Sequence, residues 1–175
     1  LDIIGTLMVF FVGIGWAKPV PVNFSNLRHP KRDMIWVAAA GPVTNFVLAA
    51  LSALVMRAII AATPDLADGA MMQGFLDPIV LMLAFSVYIN LLLAIFNLIP
   101  VPPLDGGRVA VGLLPYRQAV AYSRIEPYGM IIIIVLVFFT NLFKYVLAPV
   151  LDFGIHLLAG PQSKLVYTVT QFIMR

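Results

Sequence analysis

The 175-residue sequence has no cysteine, and only 11% of its residues are charged. The absence of cysteine excludes disulfides and thiolate metal sites. A soluble domain is also excluded, because a soluble core cannot absorb 62% hydrophobic residues and a mean hydropathy of +1.00. The composition therefore predicts an integral membrane protein with one membrane-embedded domain over residues 1–175.

Lys and Arg exceed Asp and Glu by three, which gives a net charge of +3. These cations lie in short loops beside apolar runs, so the charge does not indicate nucleic-acid binding. Loop 17–33 contains Lys18, Arg28, Lys31 and Arg32, loop 100–127 contains Arg108, Arg117 and Arg124, and loop 57–77 contains only Arg57. Cytoplasmic loops of membrane proteins are rich in Lys and Arg. We therefore expect a multi-pass protein of the cell membrane with loops 17–33 and 100–127 in the cytoplasm.

Apolar segments at about 3–16, 34–56, 78–99 and 128–160 predict an all-α polytopic protein with about four transmembrane or re-entrant helical segments. The first segment is too short to cross a bilayer, and we interpret it as the remnant of a longer span. The last exceeds one span and fits either one helix plus an interfacial piece or a re-entrant pair. Alternating apolar residues within 19–25 allow a short interfacial strand or hairpin, although an ordinary loop is the favoured interpretation.

An acidic residue, Asp105, follows the third apolar segment almost at once, and more apolar sequence follows Arg108. Three prolines at 100, 102 and 103 end the preceding helix near Ile99, because proline removes backbone donors and restricts its predecessor. An ionisable residue in such a position is a site hypothesis by default. The alternative is an interfacial carboxylate that caps the next helix and pairs with Arg108. The pattern leaves both open.

Residues 97–107 and 41–45 resemble two motifs of the site-2 proteases, which are intramembrane zinc metalloproteases, and residues 1–6 and 15–23 resemble the compact bacterial branch of that family. Residues 97–107, Asn-Leu-Ile-Pro-Val-Pro-Pro-Leu-Asp-Gly-Gly, resemble the family signature Asn-x-x-Pro-x-Pro-x-x-Asp-Gly-Gly. Residues 41–45, Gly-Pro-Val-Thr-Asn, resemble its Gly-Pro-x-x-Asn motif. The resemblance extends from the first residue to about Gly160.

The resemblance implies a zinc metalloendopeptidase that hydrolyses transmembrane protein substrates within the lipid bilayer. It makes Asp105 a zinc ligand, beside two histidines of a His-Glu-x-x-His helix whose glutamate is the general base. It also makes Asn45 and Asn97 catalytic residues, which donate hydrogen bonds to the substrate backbone or to the developing oxyanion.

The sequence departs from the family pattern because it contains no His-Glu-x-x-His motif. Its two histidines stand elsewhere: His29 in a basic loop and His156 alone in an apolar segment, and we expect neither to bind metal. We therefore expect that the sequence is an N-terminally truncated form and that these 175 residues alone do not hydrolyse peptides.

Two other classes of function compete with the protease. One is a catalytically inactive, membrane-embedded binding module. The other is a small transporter or channel, which would also use broken helices and an intramembrane carboxylate. A transporter should show internal repeats, and none is visible in the sequence.

Overall fold

The computed structural model of the protein describes residues 30–63 and 76–173. All regular elements in these two ranges are helical, which confirms the all-α prediction there. The α-helices are α1 (Pro30–Ala62), α2 (Leu76–Asn97), α3 (Asp105–Leu113), α4 (Tyr116–Ser123), α5 (Gly129–Phe139), α6 (Ala148–Ala159) and α7 (Ser163–Ile173). The predicted segments 3–16 and 19–25 lie outside the described residues. Apart from Pro30, the described residues belong to the compact unit Lys31–Arg175.

Among the described residues of this unit, four stretches are long and apolar enough to cross a membrane: Lys31–Ala62, Pro78–Asn97, Tyr116–Phe139 and Phe143–Gln171. Large apolar side chains are exposed on their surfaces, among them Trp36, Met82, Phe139 and Phe153. Exposure of such side chains is the expected arrangement in lipid, where apolar surface faces acyl chains. The chain is therefore a multi-pass membrane protein.

The apolar run 128–160 is divided after α5. Thr140 has extended backbone, and its hydroxyl donates to the Leu136 carbonyl and accepts a bond of 3.2 Å from the Leu142 amide. Such local side-chain bonds offer the backbone an alternative to the helical ladder. A π-helical turn, Phe143–Leu147, then leads directly into α6. The span before the break begins at Tyr116 rather than 128, because a 3₁₀ turn, Glu126–Tyr128, joins α4 to α5.

The core of the bundle lies between α1, α2, α6 and α7. Small or slender side chains dominate it and let the helix backbones approach closely, which favours helix association in lipid. Its buried members are Ala49, Ala53, Met56, Ile60, Val80, Ala84, Val87, Leu91, Leu151, Ile155, Ala159, Val166 and Val169. At one end of this core Arg57 donates to the Leu158 carbonyl over 3.4 Å, which ties α1 to the end of α6.

The other end of the bundle holds α3. Lys31, at the start of α1, donates to the Leu114 carbonyl just after α3. On the opposite side, the Tyr122 hydroxyl of α4 donates to the Pro100 carbonyl in the loop before α3. A Cβ on Gly129 would lie only 1.6 Å from the Pro102 carbonyl oxygen, so α5 begins directly against the same loop. These contacts fix α3 and its loop between α1 and the α4–α5 region.

Candidate metal centre

Asp105 is the first residue of α3. The helix starts there because Leu104 is extended, with φ −63° and ψ 157°, after the proline-rich loop. A Cβ on Gly106 would lie 2.3 Å from the Leu98 carbonyl oxygen, and one on Gly107 would lie 2.2 Å from the Pro102 nitrogen. Glycine at both positions therefore lets the loop backbone pack on the first turn of α3, and this packing fixes the backbone that carries the carboxylate.

The Asp105 carboxylate lies against Gly41 of α1. A Cβ built on Gly41 would lie 2.8 Å from Asp105 Oδ2, closer than real Cβ contacts come. A larger residue before Pro42 would therefore displace the carboxylate from this position. The two motifs, separated by more than fifty residues in sequence, meet at this contact.

Asn45 and Asn97 each lie close in sequence to a residue that packs against Asp105 or its helix. Asn45 follows Gly41 by four residues in α1, so its Cβ lies about 6 Å from the Gly41 position on the same helix face. Asn97 is the last residue of α2, next to Leu98, whose carbonyl packs against Gly106. Both side chains are partly buried, and neither makes a side-chain hydrogen bond within ranges 30–63 and 76–173.

The surroundings of Asp105 differ from those expected for a helix-capping carboxylate. Burial raises the pKa of its carboxyl group, and the positive charge of Arg108 opposes this rise. Arg108 forms its ion pair with Glu126, at 3.9 Å, and among the described residues no donor bonds the Asp105 carboxylate. Two features expected for a capping carboxylate, a backbone hydrogen bond and an ion pair with Arg108, are therefore missing from the described structure.

These residues fit one corner of a metal site. A half-buried carboxylate with open coordination positions, seated on a glycine that leaves it room, is a suitable oxygen ligand for zinc. A structural or catalytic zinc site needs at least three protein ligands. No group of three His, Cys, Asp or Glu side chains occurs in the described part of the chain, so the remaining ligands would lie outside it.

Neither histidine is described as part of this candidate metal site. His156 is exposed on α6, where its Nε2 lies 3.7 Å from Asp152 Oδ1 and its ring centroid lies 6.0 Å from that of Tyr167. The Tyr167 hydroxyl donates to Asp152 as well. His29 lies outside the described residues.

A cavity of about 360 Å³ between α1, α2 and α6 does not contain the acidic site. Its lining is apolar and includes Pro42, Phe46, Leu91 and Phe153. At about 100° per helical residue, Phe46 points some 140° away from Gly41 around α1. Gly41, against which Asp105 lies, is therefore on a different face of α1 from Phe46.

The fold is that of a polytopic helical membrane protein, and its candidate site is a carboxylate, Asp105, just after the proline-rich loop that follows α2. Residues 15–140 match the model of peptidase family M50. The chain is also 35% identical over 154 residues to a Bacillus subtilis protein named "Putative zinc metalloprotease YwhC", with 88% of this chain and 68% of the relative covered. The chain belongs to peptidase family M50, which confirms the resemblance found in its motifs. No solved structure matches it significantly.

Proposed function

We propose that the intact protein is an intramembrane zinc metalloendopeptidase of the site-2 type, which hydrolyses peptide bonds of membrane-embedded substrates. One observation carries the proposal: between two apolar spans, the Asp105 carboxylate of one family motif lies on Gly41 of the other. The name of the Bacillus subtilis relative supports zinc as the metal.

Asp105 would hold the zinc ion together with ligands from outside the described residues. When bound, zinc supplies polarisation of the scissile carbonyl and a bound water whose pKa is lowered toward ~7. The 175 residues contain no His-Glu-x-x-His motif to supply two histidine ligands and a general base. We therefore propose that this chain alone does not hydrolyse peptides.

Asn45 and Asn97 would orient the substrate. Each carboxamide offers two N–H donors and one carbonyl acceptor. Asn45 lies one turn after Gly41 in α1, and Asn97 is the last residue of α2. A donor of this kind can bind the substrate main chain or the oxyanion that forms when the scissile carbonyl is attacked. Loss of one oxyanion donor costs about 3–4 kcal/mol in other hydrolases.

We propose that the Asp105 end of the bundle faces the cytoplasm. The contact between Lys31 and the Leu114 carbonyl places the start of α1 beside the end of α3. The cations of loops 17–33 and 100–127 that are described therefore share one end, whereas Arg57 bonds to Leu158 at the other. This distribution agrees with the positive-inside rule.

Co-expression with single-span test proteins tests both the proposed protease activity and the proposed orientation in the membrane. Test proteins carry one apolar helix in either orientation and a different tag at each end, and mass spectrometry maps any cut bond. We expect the intact enzyme to cut within the cytoplasmic half of the helix and the 175-residue chain to cut none. If the intact protein binds the test proteins without cutting them, the proposed protease activity is wrong and the inactive binding module is favoured. If the cuts fall in the outer half of the helix, the proposed orientation is wrong.

Asn45→Leu and Asn97→Leu test the proposed substrate contacts. Leucine has nearly the same shape as asparagine but no hydrogen-bonding group, so we expect kcat/KM to fall about 100-fold for the oxyanion donor. Zinc content should stay stoichiometric in both variants. Asn141→Leu is the matched control, since Asn141 is exposed in the break after α5. Unchanged kinetics in both variants, or loss of zinc in parallel with activity, would exclude this role.

A further inference from the structure

Polar side chains continue from the Asp105 site along α1. From Gly41 to Ser52 is 11 residues, or about three turns at 3.6 residues per turn, and Asn45 lies between them. Gly41, Asn45 and Ser52 therefore project within about 40° of one another. Because the Asp105 carboxylate lies on Gly41, this row of α1 begins at the candidate metal centre.

A matching row lies on α2. Asn97 and Ser86 are also 11 residues apart, and Asn90 lies on the same face. Ser86 Oγ lies 2.8 Å from Ser52 Oγ, and Asn90 Nδ2 donates to the Ser86 carbonyl over 2.9 Å and to Ser86 Oγ over 3.2 Å. These bonds join the two rows into one surface. We call it the polar strip, and it consists of Asn45, Ser52, Ser86, Asn90 and Asn97.

Helix packing uses only part of the hydrogen-bonding capacity of the polar strip. The bond between Ser52 and Ser86 ties α1 to α2, yet every side chain of the strip remains partly exposed. Within the described ranges, the Asn90 side-chain oxygen accepts no hydrogen bond. Leu48 and Leu93, on the same faces of α1 and α2, are 45% and 41% exposed, so the described helices leave this face open.

We propose that the polar strip binds the main chain of an extended substrate segment that reaches into the membrane from the cleavage site. This inference rests on the proposed function. A transmembrane helix pairs its own amides, but a protease must act on an extended chain whose amides are unpaired. Each unpaired amide in lipid is costly, so donors and acceptors along its path lower the free energy of the extended form.

The dimensions of the polar strip agree with this ligand. Eleven helical residues rise about 16 Å at ~1.5 Å each, and an extended chain advances ~3.3 Å per residue. The strip thus matches about five extended residues. The substrate class is a peptide main chain of any sequence, since hydroxyl and carboxamide groups would bond backbone groups rather than particular side chains.

Backbone-ester substrates test the proposal directly. The probe is a synthetic peptide of a segment cut in the co-expression experiment, in bicelles, with one amide at a time replaced by an ester, which removes one N–H donor. The enzyme is the intact zinc-loaded protein, either unchanged or as Ser52→Ala or Asn90→Leu. Thr168→Val is the control, because its hydroxyl donates to the Lys164 carbonyl of its own helix, α7, and lies outside the polar strip.

With the amide peptide, we expect Ser52→Ala and Asn90→Leu each to raise KM about three- to tenfold, the effect of one neutral hydrogen bond. The kcat and the zinc content should not change, and Thr168→Val should match the unchanged enzyme. At one ester position, the unchanged enzyme should show the same rise in KM. Asn90→Leu should show no further rise there, because ester and variant remove the same bond.

The possible failures can be told apart. If the strip only packs α1 against α2, the variants lower the melting temperature and the ester penalties are the same in every enzyme, which overturns the proposal. If the unchanged enzyme cuts transmembrane segments but no strip variant changes KM, the strip proposal alone fails. If the unchanged enzyme cuts no transmembrane segment, the proposed function fails and this inference fails with it.

Discussion

Asp105→Ala should remove zinc from the intact enzyme and abolish cleavage of transmembrane substrates. The carboxylate is the ligand that we propose, and its backbone is fixed by Gly106 and Gly107 against the proline loop. Even changes to groups that only support a ligand cost about 10–100-fold in metal affinity, so loss of the ligand itself should cost more than about 100-fold. Metal analysis after dialysis against a zinc buffer measures the effect.

Two companion variants sharpen this test. Asp105→Asn keeps the shape of the side chain but removes the negative charge, so it should lose zinc while the fold is retained. Asp152→Ala removes an exposed carboxylate of α6 that contacts His156 and Tyr167, and it should keep zinc and activity. Stoichiometric zinc and full cleavage in Asp105→Ala would show that the carboxylate is not a ligand.

The sequence predicts those parts of the fold that depend on neighbouring residues in the chain, such as the length of an apolar run or the position of a proline. Long apolar runs predict the α1 and α2 spans, since a run of about 20 apolar residues has few alternatives to a membrane helix. Prolines at 100, 102 and 103 predict the end of α2, because they remove donors that a helix needs. The run 128–160 was predicted to exceed one span, but the position of its break at Thr140 was not predicted, because it depends on the local bonds that this threonine forms.

The sequence names the candidate site residues, but it does not predict how they are arranged in space. The motifs name Gly41, Asn45, Asn97 and Asp105, but the contact of Asp105 with Gly41 depends on packing between distant helices. Arg108 illustrates the same limit: its position three residues after Asp105 suggests a helical pair. The structure instead directs Arg108 to Glu126 in the 3₁₀ turn after α4. Ser52 was not singled out, although its seven-residue spacing from Asn45 could have shown that both share a helix face.

Gly41→Ala should weaken zinc binding without weakening the fold. The new Cβ would lie 2.8 Å from Asp105 Oδ2, and outside its own stretch of α1 the described atoms within 4 Å of it belong to the Asp105 side chain. The carboxylate therefore has to move, and metal–ligand distances tolerate only about ±0.2 Å. We expect zinc affinity to fall about 10–100-fold, as when a supporting group of a ligand is lost. Cleavage measured at limiting zinc should fall with it.

The sign of the stability change separates this effect from general damage to α1. Alanine within a helix is favoured over glycine by roughly 0.5–1 kcal/mol, so the zinc-free Gly41→Ala protein should melt no lower than the unchanged protein. Gly154→Ala is the matched control, because its Cβ would meet Leu91 Cδ2 of α2 at 3.3 Å, away from Asp105. That variant should shift the melting temperature but bind zinc normally. Zinc affinity equal to that of the unchanged enzyme in Gly41→Ala would mean that the bound state does not keep Asp105 against α1, and the geometry proposed for the metal centre would be wrong.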